Sequence, residues 1–155
     1  SWHDQNTFEM THLADYLRNN PNQQVCRPSQ SSWGFKGFHE YWLNETNAWI
    51  YPHLHKAAER MIEISRREAA DELEERALNQ AARELLLAQS SDWAFIMKTG
   101  TMVPYAVRRT RSHLLRFDKL FEDVNAEKVD SGWLSQVEAM DNIFPNINYR
   151  VYRPL

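Results

Sequence analysis

At 155 residues and 43% apolar content, the chain has material for one domain with a real core. Four glycines and six prolines leave little room for the turns of an all-β protein, and one cysteine, Cys26, excludes an internal disulfide and favours a reducing compartment. A formal net charge of −3 supplies no global field towards nucleic acid or an anionic membrane.

The longest apolar runs, such as Trp93 to Met97, reach four or five residues, far short of the roughly twenty that a spanning helix needs. No signal sequence is visible, so the expected partners include no membrane and the expected location is cytoplasmic. The chain opens on Ser1 and not on methionine, which predicts a piece of a longer protein.

In chain order, Thr7 to Arg18 predicts a short helix with Leu13, Tyr16 and Leu17 on one side, ended by Asn19, Asn20 and Pro21. The first long helix starts near Trp49 to Pro52, since proline is tolerated in a first turn. Ile50, Leu54, Ala57, Ala58, Met61, Ile62 and Ser65 then recur at helical spacing. Asp71 suits the N-cap of a second helix carrying Leu73, Ala77, Leu78, Ala81, Ala82, Leu85 and Leu86. Nothing between Ser65 and Asp71 is a strong breaker, so one continuous helix is the alternative. Ser90 or Ser91 caps a short helix through Met97, and Gly100 suits a left-handed position after it. Thr101 opens a long helix with Val103, Val107, Thr110, Leu114, Phe117, Phe121 and Val124 at three-four spacing. Asp130 or Ser131 opens a last helix, stopped before Pro145, and residues 146–155 predict an extended tail. The expected fold is all-α: a bundle of four to five helices with an irregular N-terminal loop and an extended C-terminal tail.

Between Trp33 and Tyr51, seven aromatic side chains crowd nineteen residues: Trp33, Phe35, Phe38, Tyr41, Trp42, Trp49 and Tyr51. Trp49 and Tyr51 are expected to pack the start of a helix. Ser32 and Gly34 argue that Trp33 sits on a loop, where a rigid indole presents a flat face at low entropic cost. In Ser90 to Trp93, SSDW, an acceptor stands beside a ring. Acceptor plus ring is the pair that sugar hydroxyls and C–H faces require, although Asp92 also suits ordinary helix-start chemistry.

Other chemistries find less support. His53 and His55 are two apart and point to different sides of a helix, and His3, His39 and His113 are scattered, so no metal site and no cofactor are expected. Cys26 has no flanking signature, and neither a nucleophile elbow nor a phosphate loop is present. Arg108, Arg109, Arg111, Arg116 and Lys119, with His113, share one helix and form a candidate phosphate face for nucleic acid. Asp118, Glu122 and Asp123 offer these cations partners, so the expectation is no nucleic acid, with this face as the competing reading.

SSWGFKGFHEYWLNETNAWIYPHLHKAAERM (Ser31 to Met61) and ELLLAQSSDWAFIMKTGTMVPYAVRRTRSHLLRFDKLFEDV (Glu84 to Val124) resemble the C-terminal helical domain of glycoside hydrolase family 57 1,4-α-glucan branching enzymes. The likeness runs from about Gln24 to Val124 and more loosely beyond. It implies an α-1,4-glucan partner and a catalytic (β/α) barrel, in the same chain or a separate one, whose glutamate nucleophile and aspartate acid/base make α-1,6 branches by a retaining mechanism. It implies no cofactor, and no catalytic residue in this chain. By position in the family motifs, the implied substrate-binding residues are Trp33, Trp42, Asp92 and Trp93. The family pattern has glycine where this chain has Lys36. The resulting boundaries are a remnant or linker after the barrel at 1–30, the helical domain at 31–145 and the tail at 146–155. An amylolytic member of the same family is the nearest alternative.

Overall fold

A computed structural model describes residues 6–154, the side chain of Phe35 excepted. His3, Leu155 and the first residues of the 1–30 segment therefore lie outside the described residues. The chain divides into two compact units, Ser1–Ser31 and Ser32–Leu155.

Among its described residues the first unit carries one helix, α1 (Leu13–Asn19), with no buried residue. It starts later than the predicted Thr7 to Arg18, after His12 in extended backbone with φ −91° and ψ 152°. The Asn20 side-chain amide donates to the Tyr16 carbonyl at 2.9 Å and closes the other end.

The second unit holds five α-helices: α2 (Ile50–Ser65), α3 (Glu72–Ala88), α4 (Ser91–Thr99), α5 (Val103–Asn125) and α6 (Ser131–Met140). No strand occurs among the described residues, and no described helix is long and apolar enough to cross a membrane. The all-α bundle expected from helical periodicity is the observed architecture.

Helices α3 and α5 form the central pair, α2 lies against both, α4 packs on α5 and α6 on α3. Four alanines of α3, at 77, 81, 82 and 88, are at most 1% exposed. Such small side chains let the backbones approach, and Phe117, Leu120 and Val124 of α5 fill the space beside them.

The break between α2 and α3 is built by Asp71, whose carboxylate accepts from the Glu74 amide at 2.8 Å, while Glu74 reaches back to the Ala70 amide at 2.7 Å. These reciprocal bonds exclude the single continuous helix. Gly100 takes φ 78° after α4, as its place in the sequence predicts, and Asp130 caps α6 by accepting from the Trp133 amide at 2.9 Å.

The tail departs from expectation. Residues Tyr149–Tyr152 form a 3-10 turn, not an extended segment. Tyr149 is fully buried, its amide donating to Asn79 Oδ1 at 2.9 Å and its hydroxyl to the Arg67 carbonyl at 3.2 Å. Arg153 then donates to the carbonyls of Ser65 and Arg67 at 2.6 and 2.7 Å, satisfying groups left over at the end of α2.

Candidate functional site

The Trp33 loop is shaped by backbone that few side chains accept. Gly34 and Gly37 have φ of 109° and 71°, and Lys36 lies between them at φ 58°. Lys36 thus adopts the left-handed conformation that glycine prefers, at a cost of about 1 kcal/mol. The Ser32 amide donates to the Gly37 carbonyl at 2.7 Å and closes the loop.

This turn leaves Trp33 69% exposed. The indole is nevertheless held, because its ring centroid lies 5.7 Å from both Tyr41 and Trp42 and 5.9 Å from Phe95. Tyr41 and Phe95 stack at 5.1 Å behind it. Four rings from two stretches of chain therefore make one aromatic corner, with Trp33 as its open face and Trp42 half-buried. Sequence reasoning found Trp33 and Trp42 but missed Phe95 as a partner, since a lone phenylalanine in a short helix looks like core.

The corner is fixed to α4 by Asn47, which is fully buried. Its side-chain amide donates to the carbonyls of Tyr41 at 2.9 Å and Ala94 at 3.1 Å, and its Oδ1 accepts from the Asn44 amide at 2.9 Å. Asn44 in turn donates to the Glu40 carbonyl at 2.7 Å and accepts from the Thr46 amide at 2.9 Å. Tyr51 reaches the Trp42 carbonyl through its hydroxyl, and burial pushes its phenol pKa up. Tyr51 therefore braces the corner, and Trp49 sits half-buried against the core, so both pack as expected.

Asp92 and Trp93 part company. Asp92 is exposed in the first turn of α4, with Ser90 Oγ at 3.4 Å. It stands three positions before Phe95 and so shares that flank of the helix. Trp93 is only 9% exposed. Its indole N–H donates to the Leu87 carbonyl at 2.7 Å and its ring stacks on His113 at 6.4 Å, so it mounts α4 on the bundle.

Beneath Trp93 lies a buried polar cluster that sequence reasoning did not assemble, because its members are on three different elements. His113 Nδ1 is 2.6 Å from Glu84 Oε2, Gln80 donates to Glu84 Oε1 at 2.8 Å, and Asp141 Oδ2 lies 3.8 Å from His113. Burial is the main force raising the Glu84 pKa, with the Asp141 charge adding to it. Glu84, His113 and Asp141 have the residue types of a metal site, with candidate ligand atoms within 4.8 Å of one another. Yet Asp141 is already paired to Arg116 and lies 3.7 Å from Arg109, and Glu84 is taken by Gln80 and His113. The two guanidinium groups beside Asp141 supply positive charge of the kind a cation would bring. His53 and His55, the other sequence candidates, are exposed on α2.

The basic helix is divided. Arg109 and Arg116 turn to Asp141 and Lys119 to Asp123, while Arg108 and Arg111 stay exposed over the rings of Tyr105 and Trp49. Asp118, expected to pair within α5, instead accepts from Arg60 of α2 at 2.7 Å.

Comparison with known proteins places these features in context. The family described as "1,4-alpha-glucan branching enzyme, C-terminal" matches residues 53–152. A 1,4-alpha-glucan branching enzyme of Thermococcus kodakarensis is 38% identical over 120 residues, which is 74% of this chain and 18% of that protein. The crystal structure of an alpha-amylase, AmyC, from Thermotoga maritima superposes with a TM-score of 0.77 at 40% identity, over 99% of this chain and 28% of that one. The family 57 branching enzyme of Thermococcus kodakaraensis, solved with glucose and additives, gives a TM-score of 0.83 at 32% identity, over 96% and 28%. The chain thus spans less than a third of the length of each relative.

Proposed function

Because the chain belongs to the C-terminal domain family of glycoside hydrolase family 57 1,4-α-glucan branching enzymes, we propose that its aromatic corner is one wall of a glucan cleft. The remainder of that cleft is assigned to a catalytic (β/α) barrel, in the same polypeptide or a separate one. Trp33 stacks on a glucose ring, Trp42 shapes the adjoining subsite, and Asp92 accepts hydrogen bonds from sugar hydroxyls at the margin. Trp93 acts behind the face by seating α4. The barrel carries the two carboxylates of retaining transglycosylation, which work at roughly 5–5.5 Å separation. This chain binds and orients glucan and is not catalytic alone.

The observation that carries this reading is the 69% exposure of Trp33 inside a four-ring cluster. A ring held rigid yet left open has already lost the motional freedom that binding would otherwise remove. The test is retention of the chain on immobilised amylose, with Trp33→Ala alongside and a mobility shift with DNA and RNA as control. Binding to nucleic acid that needs Arg108 and Arg111 and ignores Trp33 would reject the carbohydrate reading.

A second reading, part of an amylolytic enzyme, draws support from the 40% identity to the Thermotoga maritima alpha-amylase across nearly the whole chain. The two are separated by product analysis of the domain combined with its barrel. New α-1,6 linkages support branching, and a rise in reducing ends alone supports hydrolysis.

A further inference from the structure

We propose a phosphate-binding site in the cleft between α2 and α5, distinct from the aromatic corner and independent of the glucan reading. The cleft measures about 230 Å³ and is lined by His53, Lys56 and Arg60 on α2 and Asp118 on α5, with Ala57 and Leu114 completing it. The α2 residues stand at positions i, i+3 and i+7, so they form one stripe along that helix. Arg111, three positions before Leu114, shares the facing side of α5. Its guanidinium lies 5.5 Å over the Trp49 ring, and the edge of His53 meets the same indole at 6.3 Å. Trp49 thus ties Arg111 and His53 to one end of the cleft.

The charge balance here is opposite to that of the chain as a whole. Among the described residues, no carboxylate lies within ion-pairing distance of Arg111, whereas Arg109, Arg116 and Lys119 of the same helix all have one. Among the described residues Lys56 pairs with Glu59, at 3.4 Å between side chains 62% and 68% exposed, and an exposed pair of this kind holds weakly. Arg60 spends one N–H group on Asp118 at 2.7 Å, leaving further donors of its fork. The cleft lining therefore sets two permanent cations, Lys56 and Arg60, against one carboxylate, Asp118, with Arg111 beyond it over Trp49, in a chain of net charge −3.

Size and chemistry narrow the ligand. The cleft is smaller than the roughly 300–1,000 Å³ of pockets that enclose drug-sized molecules, so it suits a single phosphate group and not a whole nucleotide. A phosphate ester loses its second proton near pH 6 and the free ion holds it to higher pH, so part of the bound ligand carries an O–H that donates to Asp118 while the cations hold the other oxygens. The source is either inorganic phosphate or a phosphate ester on a sugar.

Calorimetric titration of the 155-residue chain with inorganic phosphate, glucose 6-phosphate and, as a neutral control, glucose tests the site. Saturable binding of both phosphates and none of glucose is expected, weakening as salt is raised. Lys56→Gln and Arg111→Gln, both at exposed positions, should each lower affinity roughly tenfold, and Trp33→Ala should leave it unchanged. Tighter binding of the ester assigns the site to a sugar phosphate, and tighter binding of the free ion to inorganic phosphate. Absence of saturable phosphate binding, equal binding by the two glutamine variants and the parent, or preferential binding of a single-stranded RNA oligomer overturns the proposal.

Discussion

A Cβ built on Gly34 would meet Cδ2 of Tyr41 at 2.4 Å, and the backbone there has φ 109°. Gly34→Ala must therefore move the Tyr41 ring or reshape the loop, at a cost of about 1–3 kcal/mol. The expected outcome is an unchanged far-UV circular dichroism spectrum with altered near-UV aromatic bands and reduced amylose retention. An unaltered aromatic spectrum would show that the corner tolerates the extra carbon. Trp33 and Trp93 then offer a contrast. Trp33→Ala removes an exposed ring and should cost no more than about 1.5 kcal/mol of stability while weakening amylose binding up to about tenfold. Trp93→Ala empties a core site and should cost about 3–5 kcal/mol in urea unfolding. A stable Trp93→Ala protein that no longer binds amylose would place Trp93 on the ligand face. Ser32 and Gly34 made the Trp33 loop legible in the sequence. The burial of Trp93 was not legible, because SSDW alone does not say which way the second ring of the site turns.

At the scale of elements, the segment 41–47 is joined to α4 by the rings of Tyr41 and Trp42 on Phe95 and by one side-chain amide, that of Asn47. Asn47→Ala leaves the Tyr41 carbonyl without its donor, takes from the Ala94 carbonyl the donor it has beyond its own helix, and removes the acceptor of the Asn44 amide. Buried groups orphaned in this way cost about 1–3 kcal/mol each before relaxation. A stability loss of about 2–4 kcal/mol in denaturant titration is expected, with amylose binding falling further than in Gly34→Ala. A variant as stable as the parent would show that the segment is held by its rings alone. Nothing in the run NETN marked Asn47 out, since its partners at Ala94 and Tyr41 are set by tertiary contact. The helices themselves were legible from three-four periodicity, and Asp71, Gly100 and Asp130 from end chemistry. The tail was misread because Tyr149 and Val151 alternate like a strand, whereas the anchors that curl it, Asn79 and the carbonyls of Ser65 and Arg67, lie seventy or more residues away.

Across the whole bundle, the cluster of Glu84, His113 and Asp141 joins α3, α5 and the end of α6 directly below the Trp93 mount of α4. Burial raises the Glu84 pKa above the ordinary glutamate value of 4.5. From that value upward the folded chain retains a proton that the unfolded chain has released, so stability falls as pH rises until the folded pKa is passed. Glu68 slopes the other way, because the hydrogen bond from Arg153 lowers its pKa and its stabilisation is lost as pH falls. A comparison of Glu84→Gln with the parent removes the Glu68 effect, which both proteins share. Glutamine keeps an oxygen to accept from His113 but cannot ionise, so the variant should gain stability relative to the parent as pH rises from 4.5. Urea midpoints measured across that range check the sign. A difference that stays constant with pH would mean that Glu84 ionises as readily in the folded bundle as in the unfolded chain. In that case the charge on His113 or the two arginines at Asp141 would have to offset the burial of the carboxylate in full.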